Sequence, residues 1–261
     1  MTTATTSSTG ARPLVRHLPI LGLALAAIAV VLLAAGPIGW RAGWWHYRFA
    51  LLSLMPWAGY FGVAALAVSA LALVVGRLRI GWREIAVAAI GFAAGALVAY
   101  VPWHYNAMRS TVPPINDITT DTEHPPTFAA VVPLRAAEGA NPAAYPGSKF
   151  ADQQKQAYPD IAPLTLALPP RTAFDSALGT AKKMGWTIVA TDEAAGRIEA
   201  SERSRWYGFT DDIVIRVAAA DSGSRIDLRS SARQGRGDFG VNAARIRAYL
   251  TALRGNTAGQ S

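Results

Sequence analysis

The residues of this sequence that could do chemistry lie mostly in its last third. Asp211 and Asp212 stand side by side and could supply carboxylates for acid–base work or for a divalent ion. In an extended segment neighbouring side chains point to opposite faces, so the two cannot readily serve one site, and pairing with Arg216, Arg229 or Arg233 to fix a sheet is the competing role. Ser230 and Ser231 sit beside Arg229, but no histidine follows His124, so a Ser-His-Asp triad would have to recruit a distant residue. The run Gly235-Arg236-Gly237-Asp238-Phe239-Gly240 fits the glycine spacing of a phosphate-binding turn, follows a predicted strand and opens a predicted helix. A dinucleotide site also needs a parallel strand beyond that helix, and here the chain ends instead. A looser anion site remains, formed by the helix N-terminus with Arg233 and Arg236. Against it stands a glycine-dependent turn in which Asp238 caps the helix. Finally, the tripeptide Trp-His-Tyr occurs at Trp45-His46-Tyr47 and again at Trp103-His104-Tyr105. Facing His46 and His104 could hold a metal or haem iron, whereas an aromatic belt at a membrane surface explains the same residues without a ligand.

The elements that must position these groups read as follows. The helical spacing of Phe174, Ala177, Leu178, Ala181 and Met184, with Asp175 early, Lys182 and Lys183 late and Gly185 beyond, predicts an amphipathic helix. Residues 186–190 and 197–202 predict strands joined by a turn at 192–196, and residues 213–218 and 225–231 a second hairpin turning at Asp221-Ser222-Gly223-Ser224. Ile226 and Leu228 alternate with Arg225, Asp227 and Arg229, the pattern of a sheet with one wet face. A last helix over 241–253 buries Ile246, Tyr249, Leu250 and Leu253 and stops at Gly255. The order gives an α+β domain over 171–254, a four-stranded antiparallel sheet with two helices. Residues 106–170 hold most of the chain's prolines and little periodicity, yet they include Ile115, Ile118, Phe128, Tyr145, Phe150, Tyr158 and Ile161. They predict an ordered, mostly irregular segment wrapped around that domain, with a short helix near 151–157.

The first part of the chain is of another kind. Residues 18–39, 49–75 and 85–103 are uncharged and long enough to span a bilayer, so 18–105 predicts an anchor of three transmembrane helices between a cytoplasmic tail, 1–17, and the rest. The first is too long for a signal-peptide core and lacks a good cleavage site. No Asp, Glu, Lys, Arg or His falls inside the spans, which argues against a transporter or channel. Gly91 and Gly95 form a small-residue pair suited to close helix packing, within the bundle or between copies. Arg12, Arg16, Arg77, Arg79 and Arg83 flank one side and Arg41, Arg48 and Arg109 the other, which predicts a cytoplasmic N-terminus and an outer C-terminal domain. The formal net charge of +8 is therefore a topological signature rather than a nucleic-acid-binding face. The chain has no cysteine, which excludes disulfides, thiolate metal sites and cysteine nucleophiles.

Several segments resemble a bacterial family, domain of unknown function 1499. They are Phe209-Thr210-Asp211-Asp212-Ile213-Val214-Ile215-Arg216-Val217, then Asp227-Leu228-Arg229-Ser230, then Arg233, Gly235, Asp238, Gly240, Asn242, Arg245 and Ile246. Upstream, Ile115-Asn116-Asp117-Ile118-Thr119-Thr120-Asp121, Pro125-Pro126, Tyr145-Pro146-Gly147 and Tyr158-Pro159-Asp160-Ile161 are similar to it as well. The resemblance covers about residues 109–254 and implies no activity. Ala232 stands where members often carry serine, and a cysteine-containing segment of many members is absent. The expectation is an uncharacterised integral protein of the bacterial inner membrane with a periplasmic domain and a non-catalytic binding or envelope-associated role. The alternatives are an enzyme acting on an envelope lipid or glycan through Asp211 or Asp212, and a structural accessory subunit of a membrane complex. The candidate cluster, ligand-binding or structural, is Asp211, Asp212, Arg216, Arg229, Ser230, Arg233, Asp238, Asn242 and Arg245. No cofactor is expected, and the expected partners are the lipid bilayer and another envelope or membrane protein, not nucleic acid.

Overall fold

The computed structural model describes residues 11–76 and 81–257. The side chain of Arg12 and all of Arg77 and Arg79, used above for orientation, lie outside the described residues, as does the tail from 258 on. The chain forms two compact units that divide between Ala107 and Met108.

The first unit is helical. Helix α1 (Ala11–Arg41) is followed by a short α2 (Tyr47–Phe49), a π-helical turn at Ala50–Leu54 and α3 (Met55–Gly76), and then by α4 (Trp82–Arg109). The widened turn lies immediately before Pro56, whose ring cannot continue ordinary helical bonding. Three stretches, Arg16–Arg41, Tyr47–Val75 and Trp82–Arg109, are long and apolar enough to cross a membrane. Their outward faces carry Ile20, Val31, Leu52, Val63, Val74, Ile90 and Leu97, while Ala29, Ala58 and Val98 pack inside. Gly91 and Gly95 both face the bundle. A Cβ on Gly95 would lie 2.8 Å from the carbonyl oxygen of Gly62, and one on Gly91 would lie 2.7 Å from Ser69 Oγ. Backbones approach this closely only where side chains are missing.

The second unit is an antiparallel sheet with unlike faces. In chain order it contains β1 (Asp117–Thr119), α5 (Val131–Ala137), α6 (Ser148–Ala157), β2 (Leu164–Leu166), α7 (Pro170–Lys183), β3 (Thr187–Asp192), β4 (Arg197–Arg203), β5 (Thr210–Ala220), β6 (Gly223–Ala232) and α8 (Val241–Thr257). The sheet has six strands rather than the four expected, because the proline-rich segment contributes two. β1 pairs with the end of β6 and β2 with its beginning, in the order β1-β6-β5-β4-β3. At three residues each, these strands are too short to show alternation in sequence. Helix α8 also continues past Gly255 to Thr257, where it was expected to stop.

One face of the sheet, with Ile198, Ala200, Ile213, Ile215, Val217, Ile226 and Leu228, packs under α7 and α8. The opposite face is not wet. Asp227 and Arg229 are wholly buried, and the segment that follows β1, including α5, covers them, with Phe128 and Val131 against Val214. The proline-rich wrap is thus a second cover layer over a charged sheet face.

Candidate functional site

Strand pleating divides the candidate cluster between two places. On β5, Asp211 faces the helices and Asp212 the wrap, and on β6 Ser230 faces the helices while Arg229, like Arg233 just past the strand, faces the wrap. The structure therefore brings these residues together as two networks on opposite sides of one sheet, not as a single pocket.

The helix-side network centres on Arg245 of α8, which donates to the carboxylates of Glu202 and Asp211, to Ser230 Oγ at 3.0 Å and to Asn242 Oδ1. Ser230 in turn donates to Asn242 Oδ1, and Asn242 Nδ2 donates to the backbone oxygen of Asn116. Burial pushes the Asp211 carboxyl above its ordinary range, a shift that the Arg245 guanidinium only partly offsets. Asp238 accepts from the backbone N–H groups of Gly240 and Asn242 at 2.9 and 2.8 Å, capping α8. It too is raised by burial, against those hydrogen bonds. The glycine-rich turn has Gly235 and Gly240 at positive φ, with Phe239 at φ 54° between them. Its Gly235 carbonyl accepts from Asn116 and Asn141 side chains, each at 2.8 Å, so the turn is tied to the wrap. The helix-terminal amides that could have held an anion are bonded to Asp238, and Arg233 points to Asp212 and Glu138.

The wrap-side network is larger. Asp212, fully buried, accepts from Arg135 of α5 at 2.8 Å and from both Nε and Nη2 of Arg233 at 2.9 and 2.7 Å. Arg135 also donates to the backbone oxygens of Asn141, Ser231 and Ala232. Arg229 makes a bidentate pair with Asp117 of β1 at 2.8 and 2.7 Å and donates to the Pro126 and Ala143 carbonyls. Its guanidinium lies 4.8 Å from the centre of the Phe128 ring and 5.4 Å from that of Tyr145. Burial, with Asp117 nearby, pushes the Tyr145 phenol up to about 12. Farther along, Arg216 and Arg225 share Asp227 and Asp121. Burial alone would raise Asp121, but the backbone N–H groups of His124 and Glu123, with Arg225 and Arg216, hold it below the usual carboxylate range. Glu199 of β4 accepts from the N–H groups of Ala129, Ala130 and Val131 at the start of α5.

Sequence reasoning missed the members contributed by the wrap, namely Asp117, Asp121, Arg135 and Glu138, together with Glu199 and Asp227. The available signal was the alternation of Arg225, Asp227 and Arg229 along β6, since a face with that much charge needs counter-charges from some other segment. In the helical unit, His46 and His104 each have a local contact. His46 Nδ1 accepts from the Arg48 backbone, and His104 stacks on Tyr100 with ring centres 5.3 Å apart. Trp40 meets both His46 and Tyr47 edge-on. Among the described residues no group of three His, Cys, Asp or Glu side chains could hold a metal.

No curated protein matches the chain. Residues 117–253, just over half of the chain, match a family described as protein of unknown function (DUF1499). The matched stretch runs from β1 through both charged networks into α8 and leaves out the apolar helices. The chain therefore belongs to the DUF1499 family.

Proposed function

We propose that this chain is a bacterial inner-membrane protein with a cytoplasmic N-terminus, whose C-terminal domain works in the periplasm as a non-catalytic module presenting a rigid surface to an envelope partner. An odd number of candidate spans supports ends on opposite sides, and the Lys and Arg bias supports an inner N-terminus. Arg16 and Glu84 approach to 4.0 Å, so the starts of α1 and α4 lie at the same end of the bundle. One observation carries the non-catalytic reading. Asp211, Asp212, Arg216, Arg229, Arg233, Asp238 and Arg245 all spend their hydrogen-bonding capacity on partners within the domain, most of them joining the wrap or α8 to the sheet. A catalytic acid or base must instead reach a substrate proton.

The test joins topology with variant behaviour. Alkaline phosphatase fused after Arg109 is expected to be active in cells, and a cytoplasmic-side result overturns the localisation. In a strain where deletion has a phenotype, Asp211→Asn and Asp212→Asn are expected to lose function only in proportion to lost folded protein. A variant as stable as wild type but inactive would point to chemistry at that carboxylate.

A further inference from the structure

We infer that the end of the domain at which the chain enters it is a docking surface for the bilayer itself, seated on anionic headgroups through Trp206 and the arginines around it. This inference rests on the reading that the apolar helices span a membrane.

The entry end is fixed by the sheet. β1 pairs with the last residues of β6, Asp117 opposite Ser231, so residues 112–116 arrive beside the β4–β5 turn and the turn that follows β6. Asp238 N–H donates to the Ile115 carbonyl, and Gly237 and Gly240 lie against Pro114 and Val112. Thr210 N–H donates to Gln234, tying the base of the β4–β5 turn to the same group. Only a few residues separate Arg109, the last residue of α4, from Pro114.

At that end a tryptophan is held outward by a built turn. Ser204 N–H donates to the Phe209 carbonyl, Gly208 N–H to the Ser204 carbonyl, Phe209 N–H to Ser204 Oγ, and Arg203 Nε to the Gly208 carbonyl. Tyr207 turns in and stacks on Phe209, while Trp206 is left 55% exposed. Val241, 49% exposed, heads α8 beside the other turn. Arg203 and Arg236 are exposed around these apolar groups, and the nearby carboxylates Glu202, Asp211 and Asp238 are engaged with Arg245 or the α8 amides. Tryptophan favours the headgroup layer, and arginine beside it favours anionic lipid. The opposite end, at the β5–β6 turn around Ser222, has no such aromatic residue.

The chain's lack of cysteine permits single spin-label reporters at Val63→Cys, Val241→Cys and Ser222→Cys in the full protein. The carriers are nanodiscs of phosphatidylcholine alone or of equal parts phosphatidylcholine and phosphatidylglycerol. Accessibility to oxygen relative to a water-soluble nickel reagent is measured. Label 63 is expected to be lipid-exposed in both discs. Label 241 is expected to show a several-fold higher ratio than label 222 in the anionic discs, falling toward the value at 222 with Trp206→Ser and in neutral discs. If label 63 is in lipid but 241 matches 222 in both discs, docking is refuted and the membrane reading stands. If label 63 is in water, both fail. A 241 signal that is unchanged by Trp206→Ser overturns the assignment of the anchor, and a surface meant for a protein partner would leave 241 in water.

Discussion

Replacing Asp117 with asparagine should separate a structural lock from an incidental ion pair. The substitution keeps shape but removes the counter-charge of Arg229, whose side chain is 1% exposed. Breaking a buried pair from one side costs about 3–5 kcal/mol, because the remaining ion is left desolvated. Here the Pro126 and Ala143 carbonyls and the Phe128 and Tyr145 rings still surround the guanidinium, which favours the lower end of that range. For a unit of this size about 2–4 °C is lost per kcal/mol, so the domain's Tm should fall by about 6–12 °C for a loss of about 3 kcal/mol. The full chain in mild detergent is heated and the domain's melting read from protease susceptibility, with amide exchange followed at 117–119 and 229–231, where protection should be lost first. The comparison is Arg247→Ala, whose partner Asp160 is exposed and whose pair is worth at most about 1 kcal/mol. The double variant Asp117→Leu with Arg229→Met should recover much of the loss. If Asp117→Asn melts no lower than Arg247→Ala, the charged face does not hold the wrap and the reasoning fails.

Other outcomes follow from the same geometry. Burial raises Asp211 and Asp238, so the folded state holds these protons more tightly than the unfolded chain. Their contribution favours folding below the ordinary carboxylate pKa and is lost as pH rises through the raised values. Asp121, held low, contributes stability above its unfolded pKa that is lost as pH falls through the folded one. Urea titrations across acid pH should therefore show Asp211→Asn losing part of the low-pH gain and Asp121→Asn losing part of the acid sensitivity. Two glycine substitutions should act in opposite directions, read by the same melts. Gly196→Ala places a Cβ 2.1 Å from the Val217 carbonyl oxygen at φ 61° and should cost about 2–4 kcal/mol, whereas Gly179→Ala, in α7 with no atom within 4 Å, should gain about 0.5–1 kcal/mol. Gly95→Leu should force α3 and α4 apart at Gly62 and lower the heat resistance of the helical unit in detergent, while Leu97→Ala on the outward face should leave it unchanged.

What could be read in advance follows the range over which each signal acts. The apolar spans, α7 and the two long hairpins announce themselves because periodicity and turn residues are local, as with Phe174 to Met184 or Asp221-Ser222-Gly223. β1 and β2 were invisible because three residues cannot show a period, and α5 because Val131-Val132-Pro133 reads as strand or turn. The candidate residues were legible as a set, and the pleat alone set Asp211 and Asp212 on opposite faces, but their partners on each face were not legible. Adjacent Asp211 and Asp212 answer to different elements, Arg245 on one side and Arg135 with Arg233 on the other, and a partner about 77 residues upstream leaves no mark on the strand that needs it.

The two-sided pairing of β5 with β6 also bears on misfolding. If β6 slid by one residue against β5, Arg225, Asp227 and Arg229 would turn toward the hydrocarbon of α7 and α8, and Ile226 and Leu228 would be stranded among carboxylates. The error would be penalised at each position of the strand at once, on both faces. A buried ion pair adds little to stability when compared with well-packed apolar residues, but a slipped strand would leave these charges buried without partners, which makes the long central hairpin hard to assemble in any register but one.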